Sequence, residues 1–279
     1  MIPTNLLNRT HWIKGFALLI HIALAPYLRA QTAMLASAPE TALAGSAAAR
    51  VESPWFARIN PAAIGEARGG AFSASFAPAS IGIAGYREEA MMMLLPIDTI
   101  WRVAATATFT GVPGYGELEG SAIAAYNPAP QVTIAIGIGI YSLNIQDYGS
   151  AMTPTIDLGA TARLSDQIRF GCAMRNLARA RIAGTDLPQR VGFGFAFEVG
   201  SGTILSVDAS DELRRSAAVS LALSTSPLAG LTIRGGISNG PGMISFGVGY
   251  NLSDITFDYG GAYSSPLGFR HVIGAGVRF

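Results

Sequence analysis

The sequence has 279 residues, of which 50% are hydrophobic and only 13% are charged, and its formal net charge is +1. Because soluble globular proteins carry about 25% charged residues, this composition argues against a soluble domain and favours a membrane protein. The near-neutral charge excludes a basic nucleic-acid-binding surface, and the single cysteine, Cys172, excludes an intrachain disulfide.

The first predicted element is a secretory signal peptide over residues 1–30. Arg9 and Lys14 precede an apolar stretch, and the small residue Ala30 stands where the signal would be cut, before Gln31. An uncleaved N-terminal membrane anchor remains the alternative. Removing this segment takes three cations and no acid from a chain with 19 basic and 18 acidic residues, so the exported part carries a small negative charge.

Residues 31–69 show no clean alternation of apolar and polar side chains. We expect them to form a short N-terminal plug, a periplasmic segment that is tucked into or under the domain that follows. Residues 70–279 are then the membrane domain.

After Ala30 no run of about 18 apolar residues occurs, which argues against transmembrane helices. The closed β-barrel is the other structure that satisfies every backbone polar group in lipid. Its signature is a series of segments of about ten residues in which apolar side chains alternate with small or polar ones. We count roughly 12 to 14 such segments. The predicted fold class is therefore all-β, a transmembrane antiparallel β-barrel.

The segment 131–142 illustrates the alternation, since its large apolar side chains all share one parity: Val132, Ile134, Ile136, Ile138 and Ile140. A helix would mix the two sets, so a strand is favoured. A soluble β-sandwich or solenoid is the alternative, and its second face would be rich in Lys, Glu and Gln. Here the second face carries Gly, Ala, Ser and Thr with sparse Arg and Asp, which favours a tight, partly filled lumen.

The chain ends on the aromatic residue Phe279, at the close of an alternating segment that begins at Phe269. We expect this last strand to pair with the first and close the barrel. Its terminal aromatic residue resembles the C-terminal signal that the outer-membrane barrel-assembly machinery reads in bacterial barrel proteins.

Four motifs in order carry a family resemblance. Residues 41–65 contain a small-residue run followed by an Asn60-Pro61-Ala62 turn, and residues 156–177, 187–197 and 255–279 read as later strands. Together they resemble the FadL-like outer-membrane barrels, and more closely the small PorV and PorQ branch linked to type IX secretion. The resemblance implies a 14-stranded barrel with an N-terminal plug, located in the bacterial outer membrane.

Members of that family carry hydrophobic compounds across the outer membrane or serve as partners of a secretion apparatus. The resemblance therefore implies two functions: a channel or binder for small hydrophobic molecules, or a non-transporting scaffold or shuttle for exported proteins. Besides membrane lipid and the assembly machinery, the implied partners are a small hydrophobic ligand or secretion-system proteins. The chain lacks a long extracellular insertion, which argues against a surface capture site for lipid.

Charged residues on the small-residue parity are predicted to line the lumen: Asp157, Arg163, Arg169, Arg175, Glu198, Asp208, Arg234, Asp258 and Arg278. One interpretation is that they form ion pairs that fill and stiffen the interior. The other is an arginine ladder of Arg163, Arg169, Arg175 and Arg234 that attracts anions.

An enzymatic function is not expected. His271 is the one histidine of the exported part, and its parity points it outward, away from any catalytic partner in the lumen. An outer-membrane phospholipase is the alternative that could use it. His271 and Cys172 are too few for a zinc or haem site, so we predict no metal, no cofactor and no catalytic residues.

The stretch 86–101 is the least barrel-like part of the membrane domain, because three consecutive methionines interrupt it at Met91–Met93. We interpret it as a strand of imperfect alternation that ends at Pro96. The alternative is an adaptable, ligand-facing element between early strands.

Overall fold

Fourteen strands form one closed antiparallel barrel in the computed structural model, which describes residues 35–78, 84–212, 217–240, 242–265 and 268–279. The predicted signal peptide and the first residues of the predicted plug lie outside the described residues. The all-β transmembrane barrel is thus confirmed, with a strand number at the upper end of the expected range.

The barrel strands follow one another as neighbours around the wall, in chain order. They are β1 (Ala71–Pro78), β2 (Arg87–Pro96), β3 (Trp101–Val112), β4 (Tyr115–Ala129), β5 (Val132–Ile145), β6 (Gly149–Arg163), β7 (Ile168–Arg175), β10 (Arg190–Gly200), β11 (Thr203–Glu212), β12 (Ala218–Leu228), β13 (Leu231–Ser238), β14 (Met243–Leu252), β15 (Ile255–Ser264) and β16 (Gly268–Arg278). Two short strands, β8 (Arg181–Ile182) and β9 (Thr185–Asp186), form a separate ribbon.

Burial alternates along the strands as the sequence predicts. On β5 the isoleucines Ile134, Ile136, Ile138 and Ile140 are 41–59% exposed, whereas Thr133 and Ala135 between them are buried. The exposed side chains form an apolar belt around the outside, and the buried ones meet the interior. Such a belt matches the hydrocarbon of a membrane.

The methionine-rich segment is an ordinary wall strand, β2. Met91 and Met93 point outward and are 55% and 44% exposed, while Met92 is buried against the interior. Its alternation is more regular than its sequence indicates, because methionine occupies both faces.

The first and last strands close the wall. β1 pairs with β16 from Ala71 opposite Arg278 to Phe76 opposite Ile273. Gly70 and Phe279 lie at one end of the barrel, which we call the termini end, and the opposite end is the distal end. Connections at the termini end have two to four residues.

The distal end is uneven. β4, β5 and β6 have 14 or 15 residues each, but β7 has only eight. The pairing of β6 with β7 ends at Leu158 opposite Met174. Two residues further along β6, the carbonyl of Ile156 accepts the amide of Leu177 at 2.7 Å. Residues 176–189, which carry β8 and β9, thus fill the space above β7. The alternation pattern of the sequence does not indicate this folded connection.

Most of residues 35–69 lie inside the barrel, and we call this segment the plug. They contain the short helix α1 (Ala38–Ala42) and two 3-10 helices, Pro54–Arg58 and Pro61–Glu66. Trp55 and Ile64 pack in one apolar cluster with Met92 on β2, and most other plug residues are also buried. In the described ranges, no helix is long and apolar enough to cross a membrane.

Candidate functional site

Helix α1 lies against the inner faces of β13 to β16. A capping box begins the helix, with the Ser37 amide donating to the Glu40 carboxylate at 3.0 Å and the Glu40 amide donating to the Ser37 hydroxyl at 3.3 Å. A Cβ at Gly260 would lie 2.3 Å from the carbonyl oxygen of Ala38. The small wall residue therefore permits the close approach of the helix to the sheet.

The loop after α1 is hydrogen-bonded to β11. The Asp208 carboxylate accepts the Ala48 amide at 2.7 Å, and the hydroxyls of Ser46 and Ser206 lie 3.0 Å apart. Arg50 is fully buried and contacts the hydroxyls of Ser206 and Ser224. Asp208 thus faces inward, and the plug fills the space in front of it.

The Asn60-Pro61-Ala62 turn is hydrogen-bonded both to another part of the plug and to the barrel wall. The Asn60 side-chain amide donates to the carbonyls of Ala48 at 2.6 Å and Ala160 at 3.0 Å. Its carbonyl oxygen accepts the Ala62 amide at 3.0 Å and caps the second 3-10 helix. Asn60 is completely buried, so the turn belongs to a filled interior.

The last plug residues meet two of the predicted lumen arginines at the termini end. Glu66 accepts Arg163 at 2.8 Å and Arg169 at 2.9 and 3.0 Å. A polar cavity of about 240 Å³ lies beside this contact and is also lined by Glu52, Glu198 and Asp166. We call the three-residue contact the Glu66 latch.

Arg175 lies at the other end of β7. It forms an ion pair with Glu119 on β4 and contacts Asp157 on β6, with 3.4 Å between Arg175 Nε and Asp157 Oδ2. Asp157 also accepts the amide of Asn176 at 2.8 Å. The network therefore ties β4, β6 and β7 together where the connection above β7 begins.

Two further candidates for the lumen, Arg234 on β13 and Asp258 on β15, form an ion pair on the far wall, with 2.7 Å between Arg234 Nη1 and Asp258 Oδ1. The four arginines of the proposed ladder thus occupy three separate places, and each has a carboxylate partner. Arg278 contacts the Asn251 side chain at 3.1 Å near the termini end. This arrangement supports the ion-pair interpretation of the lumen charges and gives no support to a continuous anion path.

One plug carboxylate is poorly solvated. Burial raises the pKa of Glu40 above its usual range, and this outweighs the opposing effect of Arg58, whose Nη1 lies 3.3 Å from Glu40 Oε2. The second carboxylate oxygen, Oε1, has no hydrogen-bond partner among the described residues. The plug therefore favours Glu40 in its protonated form more than water does.

Four inward acids are absent from the residues that the sequence pattern predicts for the lumen. Glu117 and Glu119 on β4 share the inward parity, and alternation along β4 could have found them. Glu40 and Glu66 stand in the plug, where no periodicity indicates direction. His271 points outward as predicted, and its ring nitrogen Nδ1 lies 2.7 Å from the Tyr259 hydroxyl.

An apolar groove of about 610 Å³ lies on the outer face, across β1 and β14 to β16. Small side chains at Ala74 and Ala275 form its floor, and Phe76, Phe257 and Tyr259 are among its walls. It forms part of the apolar belt. For the described residues, no group of three or more His, Cys, Asp and Glu could hold a metal ion.

No protein-family model and no curated protein matches the chain, but solved structures share its fold. The toluene transporter TbuX of Ralstonia pickettii matches with a TM-score of 0.71 and 14% identity over 87% of this chain and 98% of that one. The monoaromatic hydrocarbon channel CymD gives 0.70 and 12% over 90% and 99%. A FadL homologue of Pseudomonas aeruginosa gives 0.62 and 10% over 91% and 99%.

At these identities the likeness establishes the fold alone. The chain has the architecture of FadL-type barrels, as the sequence resemblance implies. The finer resemblance to the PorV and PorQ branch stays a prediction.

Proposed function

We propose that this protein is an outer-membrane barrel that admits small hydrophobic molecules. The observation that carries the proposal is the closed 14-strand wall with an internal plug, which matches almost the full length of the toluene transporter and of the monoaromatic hydrocarbon channel. The apolar outer belt supports a location in a membrane. We also propose that residues 1–30 form a signal peptide, residues 31–69 a plug and residues 70–279 the barrel.

The plug determines where a molecule could travel. Its described residues are largely buried, and Asn60 and Ala62 have no exposed surface. A solute that enters from the distal end therefore meets the Arg175 network and the plug before it reaches the termini end. Passage across the whole barrel requires the plug to shift, whereas binding above the plug does not.

Uptake into liposomes tests the proposal. We expect liposomes that contain the refolded barrel to take up toluene faster than empty liposomes. Equal rates, with the barrel shown to be folded by its heat-dependent gel migration, would contradict the proposal.

A reversible lock would show whether the plug must move. A Cβ at Gly274 would lie 3.8 Å from the Ala38 Cβ, which is the usual separation in a disulfide. We therefore suggest Ala38→Cys with Gly274→Cys in a Cys172→Ala background. Slower uptake when the pair is oxidised, with recovery on reduction, would show that α1 moves during passage. The reduced form of the same protein is the matched control.

A second candidate function is a non-transporting scaffold or shuttle for exported proteins. The observation that favours it is the filled interior, since the Asn60-Pro61-Ala62 turn is buried in contacts and not beside an open path. Cross-linking in intact outer membranes tests this function. Reproducible recovery of an exported protein, together with no toluene uptake, would support the scaffold over the channel.

A further inference from the structure

The hairpin of β4 and β5 places two tyrosines beside one carboxylate on the inner wall of the distal half. Tyr115 and Glu117 are two residues apart on β4 and so share its inner face. Tyr141 is paired with Glu119, the next inward residue of β4, which brings it diagonally next to Glu117. The Tyr115 hydroxyl donates a hydrogen bond to the Glu117 carboxylate, and the strand register places Tyr141 beside it.

This cluster, Tyr115, Glu117 and Tyr141, is open to the lumen. Tyr115 is 37% exposed, and the other two side chains are partly exposed. Within the described ranges Glu117 forms no ion pair, in contrast to Glu119, which Arg175 neutralises. Glu117 is therefore an accessible carboxylate whose charge is balanced by a hydroxyl donor alone.

The surroundings of the cluster carry excess negative charge. The inner faces of β4 to β7 in the distal half present Glu117, Glu119 and Asp157 against the single cation Arg175. Two further inward cations are each paired with an acid, Arg58 of the plug with Glu40 and Arg270 on β16 with Glu88. Arg190 on β10 bonds to Ser210 and faces the acids Asp208 and Glu212. The local field thus favours a positively charged ligand.

Two aromatic rings and a carboxylate are the groups that hold an organic ammonium ion in proteins. The ring faces attract the cation, and the carboxylate accepts its N–H donors in a charge-assisted bond. We propose that the Tyr115–Glu117–Tyr141 cluster binds the ammonium group of small aromatic amines that enter from the distal end. This inference rests on the proposed function, because it assumes that the lumen admits small molecules, and it narrows their chemical class.

Calorimetry on the purified barrel in detergent tests the inference with two probes of matched shape, 2-phenylethylamine and the neutral 2-phenylethanol. At pH 7 and low salt we expect the amine to bind about tenfold more tightly than the alcohol, as a charge-assisted contact of this kind implies. Glu117→Gln should remove the preference. Glu89→Gln is the matched control, because Glu89 lies on the outer face of β2, and it should keep the preference.

A pair of tyrosine variants provides a second test if Glu117→Gln does not fold. Tyr141→Phe keeps the ring and should retain most of the preference for the amine, whereas Tyr141→Leu should lose severalfold. Equal binding of the two probes to the unaltered barrel would overturn the inference. So would a preference that survives both Glu117→Gln and Tyr141→Leu.

Toluene uptake separates this inference from the proposed function. Uptake of toluene without any preference for the amine would support the channel function and contradict the ammonium site. No uptake of toluene and no binding of either probe would contradict both the channel function and the ammonium site.

Discussion

The amide of Gly70 donates to the carbonyl of Phe279 at 2.7 Å, and the amide of Phe279 donates back to the carbonyl of Gly70 at 3.0 Å. The residue before the first strand and the last residue of the chain therefore hold each other. A Cβ at Gly70 would lie 2.4 Å from the Phe279 ring, so any larger residue at this position would collide with the ring. These two bonds hold the backbone of Phe279 against the start of β1, whereas an unpaired terminal segment frays.

We expect Phe279→Ala to reduce assembly in cells more than stability in detergent. The backbone hydrogen bonds with Gly70 do not involve the Phe279 ring. The C-terminal assembly signal that this segment resembles does depend on the terminal aromatic ring. The measurement is the fraction of heat-modifiable protein in outer membranes, compared with refolding of the same variant in detergent. Phe269→Ala, on the same face of β16, is the control and should assemble normally. An equal loss in both assays would make Phe279 a structural residue only.

The second prediction concerns the contact of the plug with β7. A Cβ at Gly171 would lie 1.9 Å from the Ala48 carbonyl oxygen, whereas a Cβ at Gly192 on β10 would have no contact closer than 3.4 Å. Gly171→Ala should therefore lower the free energy of unfolding by about 1–3 kcal/mol or more, because backbone must shift. Gly192→Ala should change it by less than about 0.5 kcal/mol. Urea unfolding in micelles measures both, and equal effects would contradict the close approach.

Asn60→Ala is expected to destabilise the plug. The substitution removes donors from the carbonyls of Ala48 and Ala160, and loss of a buried partner costs about 1–3 kcal/mol. Limited proteolysis should then cut the plug faster while the barrel survives. Asn251→Ala, which removes an exposed contact to Arg278, should leave the cleavage rate unchanged. A plug that is cleaved no faster in Asn60→Ala would show that the turn does not hold it.

The Glu66 latch should control how often the end of the plug opens. Glu66→Gln weakens its bonds to Arg163 and Arg169, and since the pair with Arg163 is largely exposed we expect an effect of only about 1 kcal/mol. In an Ala62→Cys, Cys172→Ala background, maleimide should label the buried position severalfold faster. Asp186→Asn breaks the exposed pair with Arg181 and should not alter labelling. Unchanged labelling in Glu66→Gln would place the opening elsewhere.

The raised pKa of Glu40 predicts a pH dependence. The folded protein favours the protonated carboxyl, so its contribution to stability is present below the ordinary pKa of glutamate and is lost as pH rises through the raised value. Glu40→Gln should therefore weaken the decline of unfolding free energy with rising pH in urea titrations. Glu89→Gln should keep the slope of the unaltered protein. An unchanged slope in Glu40→Gln would mean that Arg58 keeps Glu40 ionised.

The wall of the barrel could be predicted from the sequence because its pattern is local. The alternation along β5 determines which isoleucines face lipid without reference to any other strand. Charge pairing could not be predicted in the same way, since Glu66 and Arg169 are about a hundred residues apart and meet only when the plug is inside. For the same reason parity could not place the four arginines relative to one another, because it gives the face of a strand but not the height of a residue in the lumen.

The position of α1 also bears on how the chain folds. The first described helix contacts β13 to β16, the last strands to be synthesised. Contacts between such distant parts of a chain form slowly, because a long loop must close before they stabilise anything. The contacts of α1 with the barrel wall therefore form late. In a chain arrested before its final hairpin, the plug would not be anchored to the wall.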